Sequence, residues 1–434
     1  MQPFPMGADE RTVQGDAVPE IAGVTPGFAG NEVRASILWR LHAMQVTEHI
    51  SGMHADMILW RRDIHAHPEL GFEEKRTSEL IAQKLAAFGI EVHRGIGRTG
   101  VVGRLRAGTS QRSLGLRADM DALPIQEQNS FEYRSRYDGK MHACGHDGHT
   151  TMLLGAARYL AETRNFDGTV HFIFQPAEEG LGGAKAMIED GLFNKFPCDA
   201  IVGMHNRPNQ PAGHFAVRSG PMMAGGAFFD IHITGRGAHG ARPETGIDPV
   251  VVAAHIEIAL QTIVSRTVSP IETAVVSVTK IQAGNAYNVI PQTAQLAGSA
   301  RAFSRDVMAT IEVAMRRIAQ GVAAAFGANA EVEFRTIFAP TVNDPKEAEF
   351  AADICSELVG VQNVERNPPL IMGSEDFSFM LERVPGCCVN IGAKIGERGF
   401  EIHNPLYDFN DAVLPLGAGF FARLVETRLK KDMV

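Results

Sequence analysis

Long apolar runs are missing from this chain. No stretch of eighteen consecutive apolar residues occurs, so no membrane span is expected. Cysteine is scarce: Cys144, Cys198, Cys355, Cys387 and Cys388 are too few, and odd in number, for a disulfide framework, which points to a reducing compartment. A basic excess is absent as well. Lys and Arg total 41 against 50 Asp and Glu, a net charge of −9, and neither nucleic acid nor an anionic membrane is an expected partner. The first fifty residues hold no basic segment leading into an apolar one, which argues against a secretory signal, and the expected location is the cytoplasm. What is present is ordinary globular material, 45% apolar and 21% charged over 434 residues, about three times the usual ~150-residue domain. Two domains are the natural expectation.

Periodicity divides the chain further. Residues 1–50 read as an N-terminal extension, rich in Pro, Gly and acidic residues up to Asn31, with a helix expected over 33–46. Met57, Leu59, Trp60 and Ile64 suit a helix stopped at His67-Pro68, and a second helix is expected from about Thr77 to Gly89. Apolar runs at Gly100–Leu105, Ser113–Ala118, Gly168–Phe174 and Ala200–Met204 read as buried strands, alternating with helices at Thr150–Leu160 and Lys185–Gly191. That alternation predicts an α/β sheet with parallel strands, whose ligands gather at the carboxyl ends. From Gly220 the pattern changes to strand, helix, two strands, helix and strand, ending at Phe338. Residues 221–336 are therefore read as a domain inserted between the two parts, 51–220 and 337–434, of a larger one. Gly95-Ile-Gly97-Arg-Thr-Gly100 matches a dinucleotide fingerprint in letters only: a strand follows it where a helix is required, so a hairpin turn is expected there.

Four constellations carry chemistry. "MHACGHDGHT" offers His142, Cys144, His146, Asp147 and His149, with Cys144 and His146 on one side if the segment is extended. Thiolate and imidazole suit a borderline divalent metal, although a polar loop around a buried thiol would read the same way. "FIFQPAEEG" delivers Glu178 and Glu179 past a strand end, one free to ligate and the other to hold a water as general base. "DAIVGMHN" ends a buried strand at His205, and "FEIHNPLYDFND" places His403 in a polar loop. Singly each has a structural explanation. Together, Cys144, His146, one glutamate, His205 and His403 supply five ligands, which suits two ions better than one four-coordinate structural ion, and hydrolysis is the chemistry such a site performs. A thiol nucleophile at Cys144 is the rival, and it leaves the glutamates and the other histidines without a shared purpose.

The motifs "RRDIHAHPELGFEE", "LRADMDALPI", "MHACGHDGHT", "QPAEEG", "GMHN", "GRGAHGARP", "NVIP" and "MGSEDFSFM" follow one another from about Met57 to Leu429. In that order they resemble the aminoacylase/carboxypeptidase metallopeptidase family, in its branch of hippurate hydrolases and indole-3-acetyl-amino-acid amidohydrolases. The resemblance implies a zinc-peptidase-like α/β catalytic domain with an inserted, smaller α/β lid domain that mediates homodimerisation. It implies two divalent ions, manganese or zinc, on Cys144, His146, Glu179, His205 and His403, with Glu178 as general base. Asp121 resembles a carboxylate that supports the ligands, and Asp119, standing where other branches have histidine, is not counted as one. In the lid, His239 resembles an oxyanion-stabilising residue, and Asn288 and Arg301 resemble substrate-binding positions. Glu244 departs from the pattern, since many relatives carry histidine there.

The reading is a metal-dependent amidohydrolase that splits an N-acyl amino acid into a carboxylic acid and a free amino acid. A dipeptidase or carboxypeptidase using the same ions, and a non-catalytic ligand-binding homologue, are the alternatives.

Overall fold

A computed structural model describes residues 45–396 and 399–431. Of the extension expected over residues 1–50, positions 1–44 lie outside the described residues, and with them all but the last two positions of the helix expected over 33–46. After a helical segment at 45–51, helix α1 (His54–Ala66) ends one residue before His67-Pro68, and α2 (Lys75–Ala87) follows. Strands β1 (Glu91–Ile96) and β2 (Gly100–Ala107) pair antiparallel around the Gly97 turn, so the Gly-rich motif is the hairpin it was expected to be. Then come β3 (Ser113–Asp119), α3 (His146–Thr163), β4 (Gly168–Gln175), the short helices α4 (Gly183–Glu189) and α5 (Leu192–Lys195), and β5 (Ala200–Arg207), β6 (Phe215–Ala216) and β7 (Gly220–Met223).

The second sheet is built by β8 (Gly225–Thr234), a ribbon strand β9 (Ala238–His239), α6 (Pro249–Thr262), β10 (Ala274–Ala283), the ribbon partner β11 (Val289–Ile290), β12 (Thr293–Ala302), α7 (Arg305–Ala325) and β13 (Asn329–Phe338). Its helices start at strong signals: Asp248 caps α6 ahead of Pro249, and Ser304 caps α7. The chain then returns through β14 (Thr341–Asn343), α8 (Pro345–Val359), β15 (Val364–Glu365), α9 (Ser378–Leu381), β16 (Gly386–Gly392) and α10 (Leu414–Arg428).

The large sheet runs β1-β2-β4-β3-β5-β16-β6-β15, with β4, β3, β5 and β16 parallel at its centre and antiparallel pairs towards both edges. The sheet is thus mixed, where helix–strand alternation alone predicts a parallel one; the β1–β2 hairpin needs no crossover and adds its strands antiparallel. Apolar clusters lie on both faces, Leu116, Phe172, Val202 and Val389 on one and Ile173, Ile201 and Cys388 on the other, as expected of central strands covered by helices. The second sheet, β10-β12-β8-β13, is antiparallel and buries Phe229, Ile231, Ile256, Leu260 and Ile311 under α6 and α7. Helix α6 with its continuation, Pro249–Thr267, is long and apolar enough to cross a membrane by length and composition alone. Its Val252, Ala253, Ile256, Leu260 and Ile263 are instead spent on this core, while Val250, Val251, Ile258 and Val264 stay exposed.

Close packing anchors α3 beneath the large sheet's polar edge. A Cβ at Gly148 would fall 2.3 Å from the ring of Phe409. Gly148→Ala is therefore expected to destabilise the protein by ~1–3 kcal/mol through overpacking, read as a lowered midpoint in urea; an unchanged midpoint would show that Phe409 yields freely.

Candidate metal centre

The parallel strands β3, β4 and β5 end on one edge, and the segments leaving that edge carry the polar cluster. Strand β3 delivers Asp119 and, just past it, Asp121. Strand β4 leads through Pro176 into Ala177, which adopts φ +53 and whose N–H donates to Glu74 Oε1 at 2.8 Å. Beyond this turn Glu178 and Glu179 take different partners. Glu178 Oε1 accepts the Asp376 backbone N–H at 3.2 Å, while the Glu179 N–H donates to Asp121 Oδ2 at 3.0 Å. Strand β5 carries His205 near its end.

One local expectation needs correcting. Cys144 and His146 do not share the side of an extended segment, because α3 begins at His146, four residues before the expected start. Gly145 turns the chain ahead of it at φ +91, where an added Cβ would lie 2.5 Å from Asn206 Oδ1 and 2.6 Å from the Tyr407 hydroxyl. The turn, not a pleat, brings thiol and imidazole together.

Two compact donor groups result, Cys144–His146–His205 and Cys144–Glu179–His403, with donor atoms within 4.8 Å of one another in each. They share the Cys144 sulfur, which lies 3.4 Å from His205 Nε2. His403 Nε2 lies 3.2 Å from Glu179 Oε1, and the His403 backbone N–H donates to Ala143 O at 2.7 Å, tying the C-terminal loop to the Cys144 loop. All five expected ligands are thus together, and Glu178 adjoins them in a third group with His146 and Glu179. Asp121 faces two of the five, with Oδ1 3.2 Å from His146 Nδ1 and Oδ2 on the Glu179 amide. Its hold on Nδ1 leaves His146 Nε2 directed inward, the arrangement by which carboxylates orient ligating imidazoles.

The donors fit divalent cations. His146 Nε2 is buried without a hydrogen-bond partner among the described residues, which is unusual for such an atom unless something else binds it. Carboxylates crowd the site, and burial together with Glu375 and Glu179 drives the Glu178 carboxyl well above the ordinary range. Burial and Glu179 likewise push the Cys144 thiol up. Thiolate, imidazole and carboxylate are the donor set of zinc or manganese sites.

Several participants lie within the quoted motifs, but neither composition nor spacing assigned them these roles. Arg117, 1% exposed, donates from Nε to Gln175 at 2.9 Å and from its two terminal nitrogens to Asp119 at 2.8 Å and Glu375 at 2.9 Å. Asp119 Oδ1 in turn lies 2.6 Å from His149 Nδ1, and His149 Nε2 lies against Asn206, 2.6 Å from its Oδ1 and 3.0 Å from its backbone nitrogen, so both nitrogens of His149 are engaged. His142 is buried with neither nitrogen bonded, and burial depresses it to about 3. His65 lies between Asp147, at 2.8 Å, and Glu127, at 3.3 Å. Burial opposes its charge, but the Asp147 hydrogen bond outweighs this together with the other anionic contacts and raises it to about 9.

The lid residues stand apart. Arg301, half-buried on β12, donates to Ser374 Oγ at 2.7 Å, next to Glu375, and makes no ion pair among the described residues. His239 and Asn288 sit together on the exposed β9–β11 ribbon, where Gly240 N–H donates to Asn288 O at 2.7 Å, without a hydrogen bond to the cluster among the described residues. Glu244 is exposed, 3.3 Å from Arg242.

A mixed α/β sheet whose strand ends gather a thiolate, imidazoles and paired glutamates into two donor groups defines a dinuclear metallohydrolase. The chain belongs to peptidase family M20/M25/M40, whose pattern matches residues 115–427. It is 45% identical over 370 residues to the hippurate hydrolase of Campylobacter jejuni, covering 85% of this chain and 96% of that one. It is 42% identical to IAA-amino acid hydrolase ILR1-like 2 of Arabidopsis thaliana, covering 86% and 85%. Among solved structures it resembles the YXEP protein of Bacillus subtilis, a dinuclear metal-binding peptidase of the M20 family, with a TM-score of 0.77, 36% identity, and coverage of 88% and 100%.

Because the Cys144 sulfur belongs to both groups, Cys144→Ser is expected to weaken retention of both ions by at least about tenfold, measured as metal content after chelator challenge. Loss of turnover with both ions retained would instead favour a nucleophilic thiol. His65 yields a pH prediction. Its folded pKa near 9 exceeds the unfolded value near 6.5, so its contribution is complete below about pH 6.5 and is lost as pH rises through 9. On the order of 2–3 kcal/mol of stability is expected to disappear over that window and to be missing at all pH values in His65→Gln; parallel curves for the two proteins would refute it.

Proposed function

We propose that this protein hydrolyses the amide bond of N-acyl amino acids, releasing a carboxylic acid and a free amino acid, with Cys144, His146, Glu179, His205 and His403 holding two manganese or zinc ions. The observation that carries the reading is the pair of donor groups sharing the Cys144 sulfur with Glu178 beside them. Ions held there would polarise the scissile carbonyl and acidify a water molecule. The names of the hippurate and IAA-amino acid hydrolases that this chain resembles support the substrate class.

The side chains divide the remaining work. Glu178 is 6% exposed and oriented by the Asp376 N–H, and a carboxyl raised by burial is suited to take the proton of the attacking water and to pass it to the leaving nitrogen. Arg301, a half-buried cation without a carboxylate partner among the described residues, suits the substrate's free carboxylate. His239 and Asn288 are the donors for the developing oxyanion and the substrate. Their exposure on a ribbon away from their own cluster favours delivery to the site of a second copy. The exposed Val250, Val251, Ile258 and Val264 of α6, with Val275 and Ile281 on edge strand β10, give a homodimer an apolar surface to cover.

Mass-spectrometric detection of amino-acid release from acetyl-, benzoyl-, phenylacetyl- and indoleacetyl-amino acids tests the reading, with manganese or zinc supplied. Glu178→Gln is expected to keep its metal and its fold while kcat falls on the order of 10²–10⁴-fold. Undiminished turnover in that variant would remove Glu178 as the base.

A further inference from the structure

Strand β5 sends alternate side chains to opposite faces of the large sheet. Ala200, Val202 and Met204 enter one apolar cluster; Ile201 enters the other, and the bare Cα of Gly203 lies under the ring of Phe377. His205 and Arg207 continue the second series, so Arg207 shares the face of a metal-ligand histidine, one step nearer the mouth of the site. Besides burial, the groups that act on it most strongly are Cys388, Cys144, Glu401 and Glu375. None of them satisfies it. Glu375 is committed to Arg117, and Glu401 is not within ion-pair distance. Arg207 makes no side-chain hydrogen bond or ion pair among the described residues, yet its Nε and Nη2 are shielded from solvent.

A guanidinium with two of its three nitrogens shielded and unpaired is costly, and an anion that reaches it would offset that cost. Arg301 is a second cation without a carboxylate partner among the described residues, although it donates to Ser374 Oγ. Both lie near consecutive residues of one loop: Arg301 bonds Ser374 from the second sheet, and Glu375 acts electrostatically on Arg207 from within its range. Anions bound by both therefore belong to one half of one substrate.

We propose that Arg207 is a specificity residue that binds a second carboxylate on the amino-acid half of the substrate, so that N-acyl derivatives of aspartate and glutamate are preferred to those of asparagine and glutamine. This rests on the amidohydrolase reading, with Arg301 taking the α-carboxylate. The planar fork of an arginine suits a side-chain carboxylate and offers nothing comparable to a neutral amide, because an amide presents one acceptor oxygen and no charge.

The test compares kcat/KM of the metal-loaded full chain for N-benzoyl-aspartate, -glutamate, -asparagine, -glutamine and -alanine, together with N-succinyl-alanine. The wild type is expected to prefer each acid to its amide by about 10- to 100-fold. In Arg207→Gln that ratio should collapse through loss on the acidic substrates, and Arg207→Lys should restore part of it. Arg301→Gln should lower turnover of acid and amide alike, preserving the ratio. A wild-type ratio near one, a ratio unmoved in Arg207→Gln, or a charge preference confined to the succinyl compound would each overturn the assignment while leaving the amidohydrolase reading intact. Absence of turnover of every compound would overturn both.

Discussion

The buried guanidinium of Arg117 is the interaction on which the rest of the site depends. It stands on β3 and binds Asp119 on its own strand, Gln175 at the end of β4, and Glu375 in the loop that precedes α9. Without a cation there, Asp119, Glu178, Glu375 and Asp376 would face one another in a dry space, and their mutual repulsion would open the loop. With it, Asp376 is held where its amide meets Glu178 and its carboxylate meets Gln175 at 2.6 Å. Removing one partner of such a buried network typically costs ~3–5 kcal/mol, which exceeds what most single contacts contribute. The orientation of Glu178 is thus inherited from an arginine that makes no hydrogen bond to it.

The same loop is where the two sheets meet chemically. Ser374 receives Arg301, Glu375 receives Arg117, and the Asp376 amide reaches Glu178, so three successive residues serve the second sheet, the first sheet and the base. Arg305 pairs with Glu382 a little further on. A rearrangement of the second sheet would therefore be felt first in the segment that fixes Glu178. Charge is distributed to match, with Arg117 neutralised internally and Arg301 and Arg207 without carboxylate partners among the described residues.

Much of this was legible in the sequence, and the reasons are local. Strands such as Ala200–Met204 are continuous apolar runs bounded by polar residues, α1 stops ahead of a proline, and α6 and α7 begin at Asp248-Pro249 and Ser304. The five candidate ligands stand out because they fall in short polar segments that interrupt apolar runs, two of them in one cysteine- and histidine-dense stretch. The start of α3 was not legible, since "HACGHDGH" has no capping signal beyond a glycine whose left-handed φ only the fold demands. Arg117 lay inside a quoted motif, yet its role was not legible there, because Asp119, Gln175 and Glu375 come from three parts of the chain that only tertiary structure assembles. Arg207 was silent for the opposite reason. Its significance lies in contacts it does not make, and a sequence records no such thing.

His403 closes onto Cys144 across the whole second sheet, first through a shared donor group and again through the bond from its amide to Ala143. An ion held by both acts as a clasp on a very long loop. Closing a loop restricts the unfolded chain more the longer the loop is, though only logarithmically. Occupancy of the site is accordingly a term in the folding equilibrium as well as in chemistry, and the insertion can vary in length or flex without loosening the frame that brackets it.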